Sequence, residues 1–120
     1  MQEDPGFMQV TAEPVRPTRR HPRIVLPQGM CVCWHGADLQ LFSRVKTLSM
    51  GGLFINAPDP PPVGTKVRLT FEVPGGSVRA DAIVRNIVAG EGFGVEFTRM
   101  DLRDKLLLQR LLNRLLRVIA

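Results

Sequence analysis

The clearest pattern in the chain is a strict alternation of apolar and polar residues over positions 66–73. The apolar positions of this run are Val67, Leu69, Phe71 and Val73, and each is flanked by charged or hydroxylated residues. A period of two places alternate side chains on opposite faces of an extended chain. The run therefore predicts a β-strand with one face in a hydrophobic core and the other in water.

Similar patterns predict further strands on both sides of this run. Segment 78–85 alternates in the same way and follows Pro74-Gly75-Gly76, so we expect a tight turn and a hairpin with segment 66–73. Segment 93–98 alternates after a second turn, Gly90-Glu91-Gly92. Shorter upstream strand candidates are Met30–Trp34, Leu39–Thr47 and Leu53–Ala57. Six short strands joined by turns are typical of an antiparallel sandwich or barrel.

The last twenty residues have a different period. Their apolar positions follow helical spacing, with Leu108, Leu112, Leu115 and Ile119 in one stripe and Leu107, Leu111 and Leu116 widening it. Asp101 is a suitable N-cap, and Asp104 lies in the first turn, where the helix dipole favours an acid. Residues 101–120 are therefore predicted to form a C-terminal amphipathic helix. This helix either caps the barrel alone or also pairs with another chain as a homodimer.

Composition limits the class of protein. The chain has 120 residues, the size of one domain, and 44% of them are hydrophobic, which excludes wholesale disorder. A net charge of +5 favours anionic partners. The N-terminal residues lack the pattern of a secretory signal, and no apolar run approaches a membrane span. Together with two cysteines, Cys31 and Cys33, these features lead us to expect a cytoplasmic protein that contacts no membrane.

The chain is predicted to have three parts. Residues 1–17 contain three prolines and no periodic pattern, so we expect a flexible tail. Residues 18–100 are expected to form the barrel, preceded by a basic arm at 18–23, in which Pro22 prevents a helix. Residues 101–120 form the helix.

Two short segments carry residues suited to nucleotide binding. The basic arm contains Arg19, Arg20 and Arg23. Arginine binds phosphate through a bidentate fork and can pair with the O6 and N7 edge of guanine. The second segment, residues 47–52, contains two glycines that let a ligand approach the backbone closely. An arm of this kind can fold over this segment and clamp a purine nucleotide, and the alternative is that its arginines are simply solvated.

The arrangement of these segments resembles the PilZ domain, a bacterial receptor module for cyclic di-GMP. Arg19 and Arg23 match the family's R-x-x-x-R motif, and Ser49 and Gly52 match its D/N-x-S-x-x-G motif. Segment 92–97 also resembles the family's last strand. The resemblance implies an all-β fold with a C-terminal helix, namely a six-stranded antiparallel PilZ-like β-barrel.

The resemblance also implies a function and a binding site. The expected function is that of a non-enzymatic receptor that binds cyclic di-GMP and transmits its level to an effector protein. The ligand-binding residues are expected to be Arg19, Arg20, Arg23, Thr47, Ser49, Gly51 and Gly52. Thr47 stands where the family has Asp or Asn, and its single hydroxyl is a poorer acceptor. A degenerate module that contacts proteins without binding the nucleotide is therefore the alternative.

Other kinds of site have weaker support. Cys31, Cys33 and His35 share one strand face, but structural zinc usually needs four ligands, so we expect no metal site and no cofactor. Ser49 has no neighbouring histidine to activate it, which argues against an enzyme. A small basic barrel that binds nucleic acid is the rival class, but the sequence lacks the run of exposed aromatic residues that single-strand binding uses.

Overall fold

The computed structural model describes residues 23–119, which form six strands and one helix. The strands are β1 (Ile24–Gly36), β2 (Leu39–Leu48), β3 (Gly52–Asn56), β4 (Lys66–Val73), β5 (Gly76–Val88) and β6 (Gly92–Arg99), followed by helix α1 (Leu102–Ile119). All strand pairs are antiparallel, and the order β1-β2-β3-β6-β5-β4 closes into a barrel. The predicted fold class is confirmed.

The first strand begins earlier than the sequence pattern predicted, at Ile24 instead of Met30. Pro27 and Gly29 interrupt the alternation between these two positions, and the register with β2 shifts between Val25 and Met30. A proline cannot donate a hydrogen bond to a neighbouring strand, and irregularities of this kind are common where one occurs. Because β1 starts at Ile24, Arg23 lies directly at the barrel.

The barrel interior is filled by side chains from every strand. Trp34 is fully buried, and its ring meets that of Phe93 edge to face, with centroids 5.1 Å apart. The indole Nε1–H donates a hydrogen bond to Ser43 Oγ at 3.0 Å, which satisfies the one polar group that this ring carries inward. The alternating apolar residues of the predicted run on β4, Val67, Leu69, Phe71 and Val73, are all buried.

Helix α1 closes the barrel on one side. Leu107, Leu108 and Leu112 belong to the hydrophobic core, and Leu111 and Leu115 pack against it. The helix begins after Asp101, whose carbonyl accepts a bond from the Lys105 amide at 2.9 Å. In the first turn, Asp104 Oδ2 accepts a bond from the Arg79 amide of β5 at 3.3 Å. No helix in the described part of the chain is long and apolar enough to span a membrane.

Candidate functional site

A cleft of about 780 Å³ lies on the outside of the barrel, over β6 and next to the start of α1. Its lining comes from five parts of the chain: Arg23, Ser49–Gly52, Arg85 and Asn86, Gly94–Met100, and Lys105. This volume is within the range of about 300–1,000 Å³ that is usual for small-molecule sites. The structure thus brings the end of the basic arm and the turn before β3 to one cleft, although they are far apart in the sequence.

Ser49 builds the turn at the edge of the cleft. Only 5% of the residue is exposed, and its Oγ accepts hydrogen bonds from the amides of Gly51 at 3.1 Å and Gly52 at 3.2 Å. The Ser49 amide in turn donates to the Gly52 carbonyl at 2.9 Å. A serine hydroxyl that binds backbone groups two and three residues ahead is a common way to fix a turn. The hydroxyl therefore shapes the cleft from within the turn.

Gly52 lets the turn lie directly against β6. A Cβ atom on Gly52 would overlap the carbonyl of Val95, so no larger residue fits without a shift of the backbone. The Phe97 amide donates a hydrogen bond to the Gly51 carbonyl at 2.9 Å. The sequence pattern predicted that these glycines allow a ligand to approach the backbone. In the structure, the backbone that approaches Gly52 is that of the neighbouring strand.

A third glycine in the cleft lining makes room for a side chain of the neighbouring strand. Gly94 lies on β6 between Phe54 of β3 and Asn86 of β5, and a Cβ atom there would overlap the Asn86 amide oxygen. The Asn86 side chain therefore occupies the space that a side chain at position 94 would take.

The cleft has a basic rim that sequence reasoning missed. Arg85, Arg99 and Lys105 come from β5, β6 and α1, and all three are exposed. Arg85 Nε lies 2.6 Å from Glu96 Oε1, so this acid is already paired. The strand alternation does place Arg85 and Arg99 outside the core, but only the closed barrel reveals that they face the same cleft.

The predicted binding residues are thus only partly brought together. Arg23, Ser49, Gly51 and Gly52 line the cleft, and Arg23 is exposed. Arg19 and Arg20, like the flexible tail predicted for residues 1–17, lie outside the described residues.

Thr47 has a different position from the other predicted residues. It lies on β2 between Val25 of β1 and Phe54 of β3, and it does not line the cleft. Its Oγ1 is buried and has no hydrogen-bond partner among the described residues. A buried hydroxyl without a partner is uncommon, because losing water without replacement costs about 1–3 kcal/mol. This hydroxyl therefore has unused capacity to donate and accept.

The remaining polar clusters are weaker candidates for a functional site. Cys31 and His35 are exposed and Cys33 is half-buried, on the outer side of β1. Between residues 23 and 119, no group of three or more His, Cys, Asp or Glu side chains is arranged to hold a metal ion. A second cleft, of about 880 Å³, lies near the β1–β2 turn and contains the exposed pair Arg68–Asp81, at 3.5 Å.

Comparison with known proteins gives one family. A family model described as the PilZ domain matches residues 17–114. A search of curated protein sequences finds no match.

Several solved structures share the fold. The inhibitor of motility (MotI/DgrA) of Bacillus subtilis superposes with a TM-score of 0.68 at 20% identity, covering 85% of this chain and 53% of that chain. The PlzA protein of Borreliella burgdorferi, crystallised in complex with c-di-GMP, gives 0.63 at 14% identity, covering 78% and 40%. The PilZ domain of CeSA from a cellulose-synthesizing bacterium gives 0.55 at 25% identity, covering 75% and 93%. The chain thus spans about half, or less, of the first two proteins.

Proposed function

The chain belongs to the PilZ domain family, and on that premise we propose that it is a non-catalytic receptor for cyclic di-GMP. The ligand binds in the cleft over β6, between Arg23 and the turn at 49–52. Its occupancy is passed on to an effector protein in the cytoplasm. The observation that carries the proposal is the meeting of Arg23 with this turn in one basic cleft.

The charge of the cleft suits a dianionic ligand. Cyclic di-GMP has two phosphates, and guanidinium groups bind phosphate through paired, charge-assisted hydrogen bonds. Arg99 and Lys105 provide further positive charge on the rim, and the acid Glu96 is neutralised by Arg85.

The arm completes the site. Arg19 and Arg20 precede Arg23 by a few residues, which is within reach of a ligand that Arg23 contacts. Since arginine can bind phosphate or pair with a guanine edge, the three arginines clamp the ligand from the side away from the barrel. Ordering of a segment upon binding is a recognised basis for a switch, and here it would change the surface that a partner meets.

The second candidate is a PilZ module that contacts a protein without binding the nucleotide. Thr47 favours it, because this position lies outside the cleft lining and offers a hydroxyl where the family has a carboxylate or amide. The Ser49 hydroxyl is also engaged within its own turn. Both observations reduce the number of side chains available to the ligand, whereas the basic rim increases it.

Calorimetric titration of the full chain with cyclic di-GMP tests the proposal. Arg23→Ala should weaken binding by about 1–3 kcal/mol, the usual scale for a bidentate arginine contact to guanine. The matched control is Arg44→Ala, an exposed arginine of β2 that lines neither cleft. Thermal unfolding of both variants should resemble that of the wild type, because both side chains lie outside the core.

Three results separate the functional classes. Binding by the wild type that is weakened only in Arg23→Ala supports the receptor. No binding up to about millimolar ligand would falsify it and leave the protein-contact module. Binding of single-stranded DNA or RNA that weakens steeply with salt, through counterion release, would instead favour the nucleic-acid alternative.

A further inference from the structure

Helix α1 has a second stripe with heptad spacing, on the side away from the barrel. We call it the outer seam, and it consists of Leu102, Leu106, Gln109, Asn113 and Leu116. The steps of four, three, four and three residues are those of the a and d positions of a coiled coil. All five residues are exposed, with Leu102 at 71% and Leu106 at 57%, whereas Leu108 of the barrel-facing side is fully buried. The same helix thus has a covered stripe of leucines toward the barrel and, in the outer seam, three leucines that the described part of the chain leaves exposed.

The centre of the outer seam is polar. Gln109 Nε2 donates a hydrogen bond to Asn113 Oδ1 at 3.1 Å. A polar residue at a seam position is tolerated between helices, where it fixes the register. The same residues would be poorly placed against a lipid surface, because a membrane-bound helix needs a continuous apolar face. The seam therefore favours a helical partner over a bilayer.

The charges beside the outer seam determine which helix fits. The flanking positions of its heptads hold Arg103, Arg110 and Arg117 on one side and Lys105 on the other. The acid of the helix, Asp104, faces the barrel, where it accepts a bond from the Arg79 amide. The seam is therefore bordered by positive charge alone. Flanking charges set partner choice in coiled coils, and like charges facing each other are unfavourable.

We propose that the outer seam binds an acidic amphipathic helix of the effector protein. Such a helix has leucines at heptad spacing, a polar residue opposite Gln109 or Asn113, and Glu or Asp at its flanking positions. A second copy of this chain would bring arginine against arginine or lysine in either helix orientation, which disfavours the homodimer that the leucine content left as an alternative. The proposal rests on the adaptor role given above, but it does not require nucleotide binding.

A designed peptide provides the test, in the absence of nucleotide. The probe is a fluorescent three-heptad helix with leucine and one asparagine in its seam and glutamate at the flanking positions. Its matched control has lysine in place of glutamate. Anisotropy with the full chain should show binding of the acidic peptide and at least about tenfold weaker binding of the basic one, since each like-charge contact opposes docking.

Protein variants locate the contact. Leu106→Ala should weaken binding of the acidic peptide by about tenfold, because Leu106 is the seam leucine that directly precedes the polar centre of the interface. Leu41→Ala is the control, because Leu41 is also an exposed leucine but lies on strand β2 of the barrel and outside the outer seam. Equal binding by the two variants overturns the proposal. So does no binding of the acidic peptide at about 100 µM, which is well above the Kd of a helix interface of moderate affinity.

Other occupants of the seam give distinct results that also overturn it. A homodimer in light scattering that Leu106→Arg dissociates would assign the seam to a second copy. Sedimentation with phosphatidylglycerol vesicles that Leu106→Ala abolishes would assign it to a membrane. The N-terminal residues 1–17 contain Glu3, Asp4 and Glu13. If a chain without them binds the acidic peptide more than about tenfold more tightly, the seam belongs to this segment.

Discussion

The β3–β6 and β1–β2 walls of the barrel both alternate buried and outward residues, but they differ in which residues occupy the outward positions. On the β3–β6 wall, glycines at 52, 92 and 94 lie where a Cβ atom would overlap a neighbouring strand or side chain. On the β1–β2 wall, the outward positions carry full side chains, and Phe42 is 79% exposed. On the first wall, neighbouring backbone or side-chain atoms occupy the space of these side chains, and Gly52 and Gly94 line the candidate cleft. The second wall keeps its side chains but covers them with nothing in the described part of the chain.

The difference shows what a binding surface on a small barrel requires. Both walls bury alternate residues in the same core, so the stability of the barrel depends on each. Of the two walls, only the β3–β6 wall contributes glycines to the cleft that has a basic rim of residues from neighbouring elements. We therefore expect substitutions on this wall to affect either folding or ligand binding, and substitutions of the outward residues on β1–β2 other than Thr47 to have little effect.

The largest effect is expected from Gly52→Ala. The added methyl meets the Val95 carbonyl, which belongs to the backbone and cannot rotate away. Overpacking of this kind costs typically 1–3 kcal/mol, and we expect a loss of about 3 kcal/mol in the free energy of unfolding, measured in urea. The matched variant is Gly94→Ala, whose methyl meets only the Asn86 side chain. Equal losses in the two variants would contradict the close approach of β3 and β6.

A smaller effect, on binding, is expected from Thr47→Asp. The carboxylate offers two acceptor oxygens, and charge-assisted hydrogen bonds are the stronger kind. Repulsion from the ligand phosphates opposes this gain, so we expect cyclic di-GMP to bind about tenfold more tightly, or ~1.4 kcal/mol. Thr47→Val, which removes the hydroxyl at constant shape, is the control. Calorimetry that finds unchanged or weaker binding in the aspartate variant would show that Thr47, which does not line the cleft, makes no contact with the ligand.

The β1–β2 turn should tolerate, and even benefit from, substitution. Its two residues, Ala37 and Asp38, have φ values of 50° and 63°. Two-residue hairpins of this type favour asparagine or glycine, and alanine is strained there. Ala37→Asn should therefore stabilise the protein by about 0.5–1 kcal/mol in thermal unfolding. Ala89→Asn, in the exposed turn after β5, should give no comparable gain.

The smallest effect is expected from Phe42→Ser. This ring is exposed on β2, and surface substitutions away from special features usually change stability by within about 0.5 kcal/mol. Cyclic di-GMP binding should also stay unchanged, because Phe42 lines neither cleft. A marked loss of stability or of cyclic di-GMP binding would show that the outward residues of the β1–β2 wall contribute to that property, contrary to the comparison of the two walls.

The sequence predicts the fold better than it predicts the site, for a physical reason. Alternation reports which side chains are buried, and the apolar side chains of the run that ends at Val73 are buried as expected. It fails at the start of β1, where Pro27 breaks the pattern but not the strand. A glycine such as Gly52 signals a close approach without saying of what, and here it is β6. The contribution of Lys105 to the cleft depends on how α1 packs, which the pattern does not specify.

The pairing of β3 with β6 also has a consequence for how the protein folds while it is being synthesised. Leu53 lies opposite Val95, and between them the chain must complete β4 and β5. Contacts between residues so distant in sequence form late, because a long loop has to be closed first. During synthesis, the floor of the cleft is absent until β6 has left the ribosome. A nascent or truncated chain that lacks β6 contains the arm, but it lacks the cleft in which the ligand would bind.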